Sequence, residues 1–379
     1  MSEDRPWMDD QLMAFRDAFD RFLERECVPH IKQWDELGYV PEDVWRKAGD
    51  AGFLVPSAPA EYGGAGADFA YDAVIIERLN KYGAQGFNIV VQNSIFPPYL
   101  MAFGSEALKK KWIPKLASGE WTSAIAMSEP NAGSDLKSIR TRAVREGDEY
   151  VINGQKTFTT NGYRADLIMV ACRTGDAGSG GISLFFVETD TPGFRRGRKL
   201  DKIGLNAQST AEIFFDNVRV PAANLLGGAE GLGFKQMMAN LCQERLVVAI
   251  EAMAMTERAI SETTNYVKDR RAFGKAIMDF QNTQFVLAEC KTDATVGRIF
   301  VDKCIERHLA ANLDAVTAAM AKLWVTEMQG KTIDRCLQMF GGYGYINEYP
   351  IAQMYRDSRV SRIYGGTSEI MKLIIGRSL

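Results

Sequence analysis

The chain has 379 residues, of which 46% are hydrophobic and 25% charged, and it carries a net charge of −3. This is the composition of a globular protein with room for one large domain or two to three modules. The charge balance excludes the basic field that nucleic acid or an anionic membrane surface would require as a partner.

The opening Met1-Ser2-Glu3-Asp4 is acidic and lacks the basic start and apolar middle of a signal peptide. No stretch reaches the ~18 consecutive apolar residues of a spanning helix. A cytoplasmic protein without membrane insertion is expected. From Asp9 to Glu26, apolar residues fall at Leu12, Phe15, Phe19, Phe22 and Leu23, the rhythm of a helix. Further helices are expected at Glu42–Ala51 and Phe69–Tyr82. Between them, Tyr62-Gly63-Gly64-Ala65-Gly66 is followed by no Lys-Ser/Thr pair and reads as a linker, not a phosphate loop. Residues 1–121 are thus expected to form an N-terminal helical domain.

From Thr122 the periodicity changes to two. In Tyr150–Phe158 the pair Asn153-Gly154 lies between two strand-like runs and predicts a hairpin turn, because both residues tolerate positive φ. Strands are also expected at Leu167–Cys172, Ile182–Val187 and Ala211–Val220, making residues 122–228 an antiparallel, barrel-like β-domain. Beyond Gly233, forty residues pass without Gly or Pro before Gly274. With long segments at Asn282–Asn312 and Asp314–Phe340, residues 229–379 predict a four-helix bundle. The fold class is mainly α with a central β-domain.

The residue inventory narrows the chemistry. Only His30 and His308 are present, so neither a multi-histidine metal site nor a Ser-His-Asp triad is expected. The six cysteines lack CxxC spacing and read as free thiols of a reducing compartment. Catalysis must lean on carboxylates or an organic cofactor, with no metal.

Four loop stretches have the character of ligand sites. Ala126-Met127-Ser128-Glu129-Pro130-Asn131-Ala132-Gly133-Ser134-Asp135 leaves a strand for small polar residues that offer N–H groups and hydroxyls. Phe158-Thr159-Thr160-Asn161-Gly162 ends another strand. Gln338-Met339-Phe340-Gly341-Gly342-Tyr343-Gly344-Tyr345 closes a helix with more glycines than a C-cap needs. Ile363-Tyr364-Gly365-Gly366-Thr367-Ser368-Glu369-Ile370 opens the last helix with bare backbone and a capping hydroxyl.

In this order, on a helix–sheet–helix frame, these stretches resemble the acyl-CoA dehydrogenase family over nearly the whole chain. Ser128 to Asp135 and Gln338 to Tyr345 match its two signatures, and Arg270-Arg271-Ala272-Phe273-Gly274-Lys275 matches a third. The resemblance implies FAD as cofactor and an acyl-CoA substrate converted to trans-2-enoyl-CoA. It further implies electron-transfer flavoprotein as acceptor and a homotetramer. Met127, Ser128 and Thr160 would border the flavin ring and Phe158 would lie against its face. Ser128 stands where threonine is frequent, and Phe158 where tryptophan is. Ser134 matches a position near the FAD pyrophosphate and CoA. Arg270, Phe273, Gln281, Gln338, Gly341 and Gly342 match the clasp on the adenylate half, in part supplied by a neighbouring subunit. Thr367 and Glu369 match flavin contacts of the last loop, Glu369 replacing a frequent glutamine.

One position departs from the common pattern. After Tyr364 many members carry the catalytic glutamate, where this chain has Gly365. In the long-chain and isovaleryl branches the base sits instead at the position of Glu244, within Gln243-Glu244-Arg245-Leu246, and the last loop then carries Gly or Ala. The resemblance therefore assigns Glu244 as α-proton base and the Gly365 N–H as donor to the thioester oxygen. Arg245, Tyr364 and Gly366 would be substrate contacts. Medium or long acyl chains are implied, with branched ones open. Independently, Glu244 shares a helix face with Leu241, Val247 and Val248, and burial there would make its carboxylate a stronger base. The plain alternative is a surface glutamate paired with Lys or Arg. An acyl-CoA oxidase or flavin monooxygenase of the same fold stays open, as does a silent acyl-CoA-binding scaffold, which Gly365 alone would imply.

Overall fold

Asp9 caps the first helix by accepting from Leu12 N–H, and the helix turns its Phe19 and Phe22 inward. The structure, a computed structural model, describes residues 5–176 and 178–379; Met1-Ser2-Glu3-Asp4 lie outside them. The N-terminal helices are α1 (Asp10–Phe22), α2 (Ile31–Leu37), α3 (Glu42–Asp50), α4 (Phe69–Tyr82), α5 (Phe96–Phe103) and α6 (Glu106–Ala117). The helix expected to run through Glu26 widens into a π turn at Leu23–Cys27. Pro29 follows, and a proline cannot donate the N–H that would continue the α-helical ladder. Phe22, Trp34 and Trp45 meet around Phe87 to form the core of this layer.

The central sheet holds β1 (Ser123–Ala126), β2 (Arg142–Glu146), β3 (Glu149–Thr159), β4 (Leu167–Arg173), β5 (Ile182–Glu188), β6 (Phe194–Lys199) and β7 (Ala211–Pro221). Their order is β1-β4-β2-β3-β7-β6, with β5 on β4. β1 pairs with β4 in parallel, and most other pairings are antiparallel.

The hairpin expected at Asn153-Gly154 is not there. Both residues lie inside the continuous strand β3, where Gly154 at φ +147° forms a bulge against β7. A Cβ at 154 would stand 2.7 Å from Thr141 Cα, so the bulge packs on the residue that leads into β2. The turn lies instead at Gly147-Asp148, with Gly147 at φ +64° and Glu146 paired to Glu149. Tolerance of positive φ is a local property that serves a turn and a bulge equally. A second irregularity, between Lys156 and Thr159, holds Phe158 at φ +56° and turns its ring outward.

The C-terminal layer contains α7 (Gly233–Asp269), the short ribbon β8 (Arg271–Ala272) with β9 (Lys275–Ala276), α8 (Gln281–Leu309), α9 (Ala315–Met339), α10 (Pro350–Ser358) and α11 (Ser368–Gly376). The buried Arg298 of α8 binds Glu77 of α4 at 2.6 Å and Glu257 of α7 at 2.7 Å. Asp357 of α10 accepts from Gln85 at 2.9 Å and from Leu205 N–H at 2.6 Å, tying all three layers together. Among the described residues no helix is long and apolar enough to cross a membrane.

Candidate active site

Glu244 lies about a third of the way along α7, where Leu246, Val247 and Val248 are buried in sequence. Tyr99, on α5 and without exposed surface, donates its hydroxyl to Glu244 Oε1 at 2.7 Å. Burial pushes the Glu244 carboxyl up to about 7, outweighing the hydroxyl of Tyr99 and the charge of Arg245, which act to lower it. This is the pKa of a base poised for work near neutral pH. Among the described residues Glu244 forms no ion pair with Lys or Arg; its hydrogen bond is to Tyr99.

The neighbouring residues clamp that stretch of α7. Gln243 donates to Ser94 O at 2.7 Å and meets His308 Nε2 at 3.0 Å. His308 is a satisfied histidine, packed edge-on against Phe69. Arg245 is buried, and its Nε finds no partner among the described residues. A buried cation with an orphan donor is ready to accept an anionic or carbonyl ligand group.

The last loop faces the same helix. Gly365 (φ +63°) and Gly366 (φ +95°) occupy backbone conformations that L-residues avoid. A Cβ on Gly365 would stand 3.6 Å from Val248 Cγ2, one turn beyond Glu244, so the loop lies against the helix that carries Glu244. Lys322 of α9, fully buried, donates to Gly366 O; burial and the Arg245 charge push its ammonium down to about 8. Tyr364 donates to Glu251 Oε2 at 2.8 Å, and burial raises Glu251 to about 7. Thr367 caps α11, accepting from Ile370 N–H. Glu369 is exposed, its carboxyl held low by its own backbone N–H and by Thr367.

Tyr99, Glu251 and Lys322 escaped the sequence reading. The available signals were slight: a tyrosine in the apolar run Phe96–Phe103, a lone lysine in the Ala-rich start of α9, and a carboxylate seven residues after Glu244.

A second group of residues gathers on the sheet. Thr157 N–H donates to Ser128 O at 2.9 Å, which brings Ser128 beside Phe158 and Thr160. The buried Lys156 donates to Met127 O at 3.0 Å and to Glu129 Oε1 at 2.8 Å, and Glu129 in turn holds the N–H groups of Arg140 and Thr141. The loop is therefore rigid around Met127 and Ser128. Beside it Phe158 is 69% exposed. A fixed, outward aromatic next to backbone and hydroxyl donors fits a planar heteroaromatic ring of the flavin type. Ser134 is exposed on the same loop.

The third group sits elsewhere. The Arg270 guanidinium lies 5.6 Å from the Tyr343 ring centroid, joining the end of α7 to Gly341 and Gly342. Around a Cβ on either glycine nothing stands within 4 Å, leaving open backbone for a ligand. Gln281 and Gln338 are exposed, and Phe273 is 95% exposed, its ring meeting only Phe280 among the described residues. Along α7 this end is about 37 Å from Glu244 at ~1.5 Å per residue. One chain therefore does not bring the third group to the first. Among the described residues no group of His, Cys, Asp and Glu is placed to hold a metal ion.

Three family models align in order: acyl-CoA dehydrogenase N-terminal domain at residues 9–120, middle domain at 124–218 and C-terminal domain at 231–379. The chain is 43% identical to the mitochondrial long-chain specific acyl-CoA dehydrogenase of Sus scrofa, over 96% of this chain and 85% of that protein. The solved acyl-CoA dehydrogenase of Geobacillus kaustophilus superposes with a TM-score of 0.97 at 50% identity, covering 99% of each chain. A glutaryl-CoA dehydrogenase of Mycobacterium smegmatis, solved in complex with FADH2, superposes with a TM-score of 0.91 at 28% identity, covering 98% of this chain and 95% of that one.

Proposed function

From the premise that this chain belongs to the acyl-CoA dehydrogenase family, we propose that it is an FAD-dependent enzyme for medium to long acyl-CoAs, branched tails left open, with Glu244 as its base. The likeness to a long-chain specific relative supports the chain-length reading. The family resemblance implies electron-transfer flavoprotein as the acceptor of the electrons. The domain division that goes with this reading is 1–121, 122–228 and 229–379.

The observation that carries it is the Glu244 carboxyl, raised to about 7 by burial and lying one helical turn from the residue packed against Gly365. An α-hydrogen of a thioester is too weak an acid for a carboxylate in water. Two features of the chain reduce the barrier. Desolvation makes Glu244 a stronger base, and the Gly365 N–H can hold the oxygen on which charge develops. The loss of the side chain at 365 leaves that backbone donor in place. Tyr99 keeps the carboxylate aimed and partly solvated before it takes the α-proton. When bound, FAD supplies the acceptor for the β-hydrogen, which leaves as hydride.

Met127, Ser128, Phe158, Thr160, Thr367 and Glu369 would hold the flavin-ring end of the cofactor, and Ser134, Arg245, Tyr364 and Gly366 the CoA thioester. Arg270, Phe273, Gln281, Gln338, Gly341 and Gly342 would hold an adenylate. Arg270, at the far end of α7 about 37 Å from Glu244, holds this group away from the base, and the family resemblance implies that the adenylate belongs to the cofactor of another subunit. A shared site calls for an oligomer, and the family resemblance implies a homotetramer.

The decisive experiment is anaerobic addition of acyl-CoAs of graded length to wild type and Glu244→Gln. Wild type should bleach its flavin, whereas Glu244→Gln should stay yellow with its flavin bound. A mutant that bleaches at near wild-type rate sinks the assignment.

A further inference from the structure

The proposed reaction needs two fixed points, a base and a backbone donor, and this chain places the donor on unusually soft backbone. Gly365 and Gly366 are consecutive glycines at φ +63° and +95°. No side chain at either position can lock the loop by packing, and glycine has the greatest backbone freedom of any residue. Something else must hold the Gly365 N–H in place.

The loop is anchored on both sides of Gly365. After it, Lys322 of α9 donates to Gly366 O, and Thr367 caps α11. Before it, the only hydrogen bond of the Tyr364 side chain among the described residues goes to Glu251 Oε2 at 2.8 Å. Tyr364 retains 36% exposure, so its ring is not locked by burial. The backbone N–H of Tyr364 also donates to Val360 O at 3.1 Å, so the hydroxyl bond is the side-chain share of the anchoring on this side of the loop.

Glu251 sits seven residues after Glu244. Seven residues return to nearly the same face of an α-helix, about 10 Å along the axis. Val248, against which Gly365 packs, lies between them on that strip. Base, packing surface and anchor thus occupy one continuous rigid helix, α7. A movement of α7 carries all three together, and the distance from base to donor is preserved.

We propose that Glu251 is a positioning residue, which holds Tyr364 by its hydroxyl and thereby sets the Gly365 N–H relative to Glu244. The inference rests on the assignment of Glu244 and Gly365 made above. Glu251 is partly buried, and its carboxyl, raised by its surroundings, keeps the Tyr364 hydroxyl as donor to Oε2.

The test uses the flavin-loaded enzyme with Glu251→Ala, Glu251→Gln, Tyr364→Phe and the double variant Glu251→Ala/Tyr364→Phe. The probes are the best reduced straight-chain acyl-CoA and its 3-thia analogue. In the analogue, sulfur replaces the β-carbon, so the α-proton can leave but no hydride can follow. The resulting anion beside oxidised flavin is read by its long-wavelength absorbance. Glu251→Ala and Tyr364→Phe should each slow flavin reduction by about tenfold, short of the roughly hundredfold cost of losing an oxyanion donor outright. KM should stay within about twofold, the signature of an interaction felt in the transition state. The double variant should be no slower than either single one, because both remove the same bond. Glu251→Gln should be the mildest, its amide oxygen still accepting from Tyr364. The analogue's absorbance should fall in the same order, and amide exchange across residues 363–367 should quicken in both single variants without any change in α9.

Additive losses in the double variant, a loss confined to KM, or an unchanged analogue band in Glu251→Ala would each overturn this proposal alone. A wild-type protein that neither bleaches nor gives the band would overturn the dehydrogenase reading, and the role of Glu251 with it.

Discussion

The Tyr99 hydroxyl donates to Glu244 Oε1 at 2.7 Å across 145 residues of sequence. The bond stabilises the ionised carboxylate, while burial of the same group favours its protonated form. Burial is the larger effect, and the two together leave the carboxyl near neutrality. The phenol is itself raised well above its ordinary range, first by burial and then by the carboxylate beside it, so it remains a donor throughout the working pH range.

Removing that donor should make Glu244 harder to ionise. Tyr99→Phe is expected to shift the ascending limb of kcat against pH to higher pH. At pH 7 the rate should drop about tenfold, the scale of one hydrogen bond to a charged group. The deficit should narrow at pH 9, where the carboxyl ionises regardless. A profile displaced equally at all pH values would contradict this.

The raised carboxyls also bear on stability. Glu244 and Glu251 are both lifted from 4.5 to about 7 in the folded chain. Between those values the native state holds protons that the unfolded chain has lost, so their contribution to stability declines as pH rises through that window. Glu244→Gln should therefore raise the unfolding free energy by about 1–3 kcal/mol at pH 8 and change it little at pH 4. Urea titrations at the two pH values give the difference directly.

Gly365 separates space from backbone strain. A Cβ would meet Val248 at an ordinary 3.6 Å, yet φ is +63°. Gly365→Ala should cost about 1–2 kcal/mol of stability from the left-handed backbone alone. Gly365→Glu adds a second carboxyl against α7, and two such groups do not both ionise easily. It should lower activity at pH 7 further than Gly365→Ala does, with part of the loss recovered at higher pH.

The proposed sharing of a cofactor site between subunits makes a prediction for mixed assemblies. Glu244→Gln removes the proposed base and Arg270→Ala weakens the proposed adenylate clasp, so each homo-oligomer should be nearly inactive. In a hetero-oligomer refolded from both, a site with intact Glu244 can receive Arg270 from its neighbour. Activity should reappear on mixing. Activity that stays at the sum of the parents would mean that each chain binds its cofactor alone.

The helices of this protein were legible because their information is local. Asp9 and Asp68 cap α1 and α4, and the long interval without Gly or Pro became α7. Asn153-Gly154 was misread for a related reason. Positive φ can be read from residue type, but whether it turns a chain or bulges a strand depends on β7 and Thr141, both distant in sequence.

The residues around the base divide along the same line. Residue types and spacing alone identified a helical carboxylate with apolar neighbours and glycine loops of ligand-site character, and resemblance supplied their roles. Burial of that carboxylate, its bond to Tyr99, the anchoring of Tyr364 by Glu251 and the clamp of Lys322 on Gly366 were decided by tertiary structure. These contacts span 145, 113 and 44 residues. A pattern of period 3.6 states which face of a helix is apolar, but not which element will cover it. The pKa of a carboxylate is a property of the element that does.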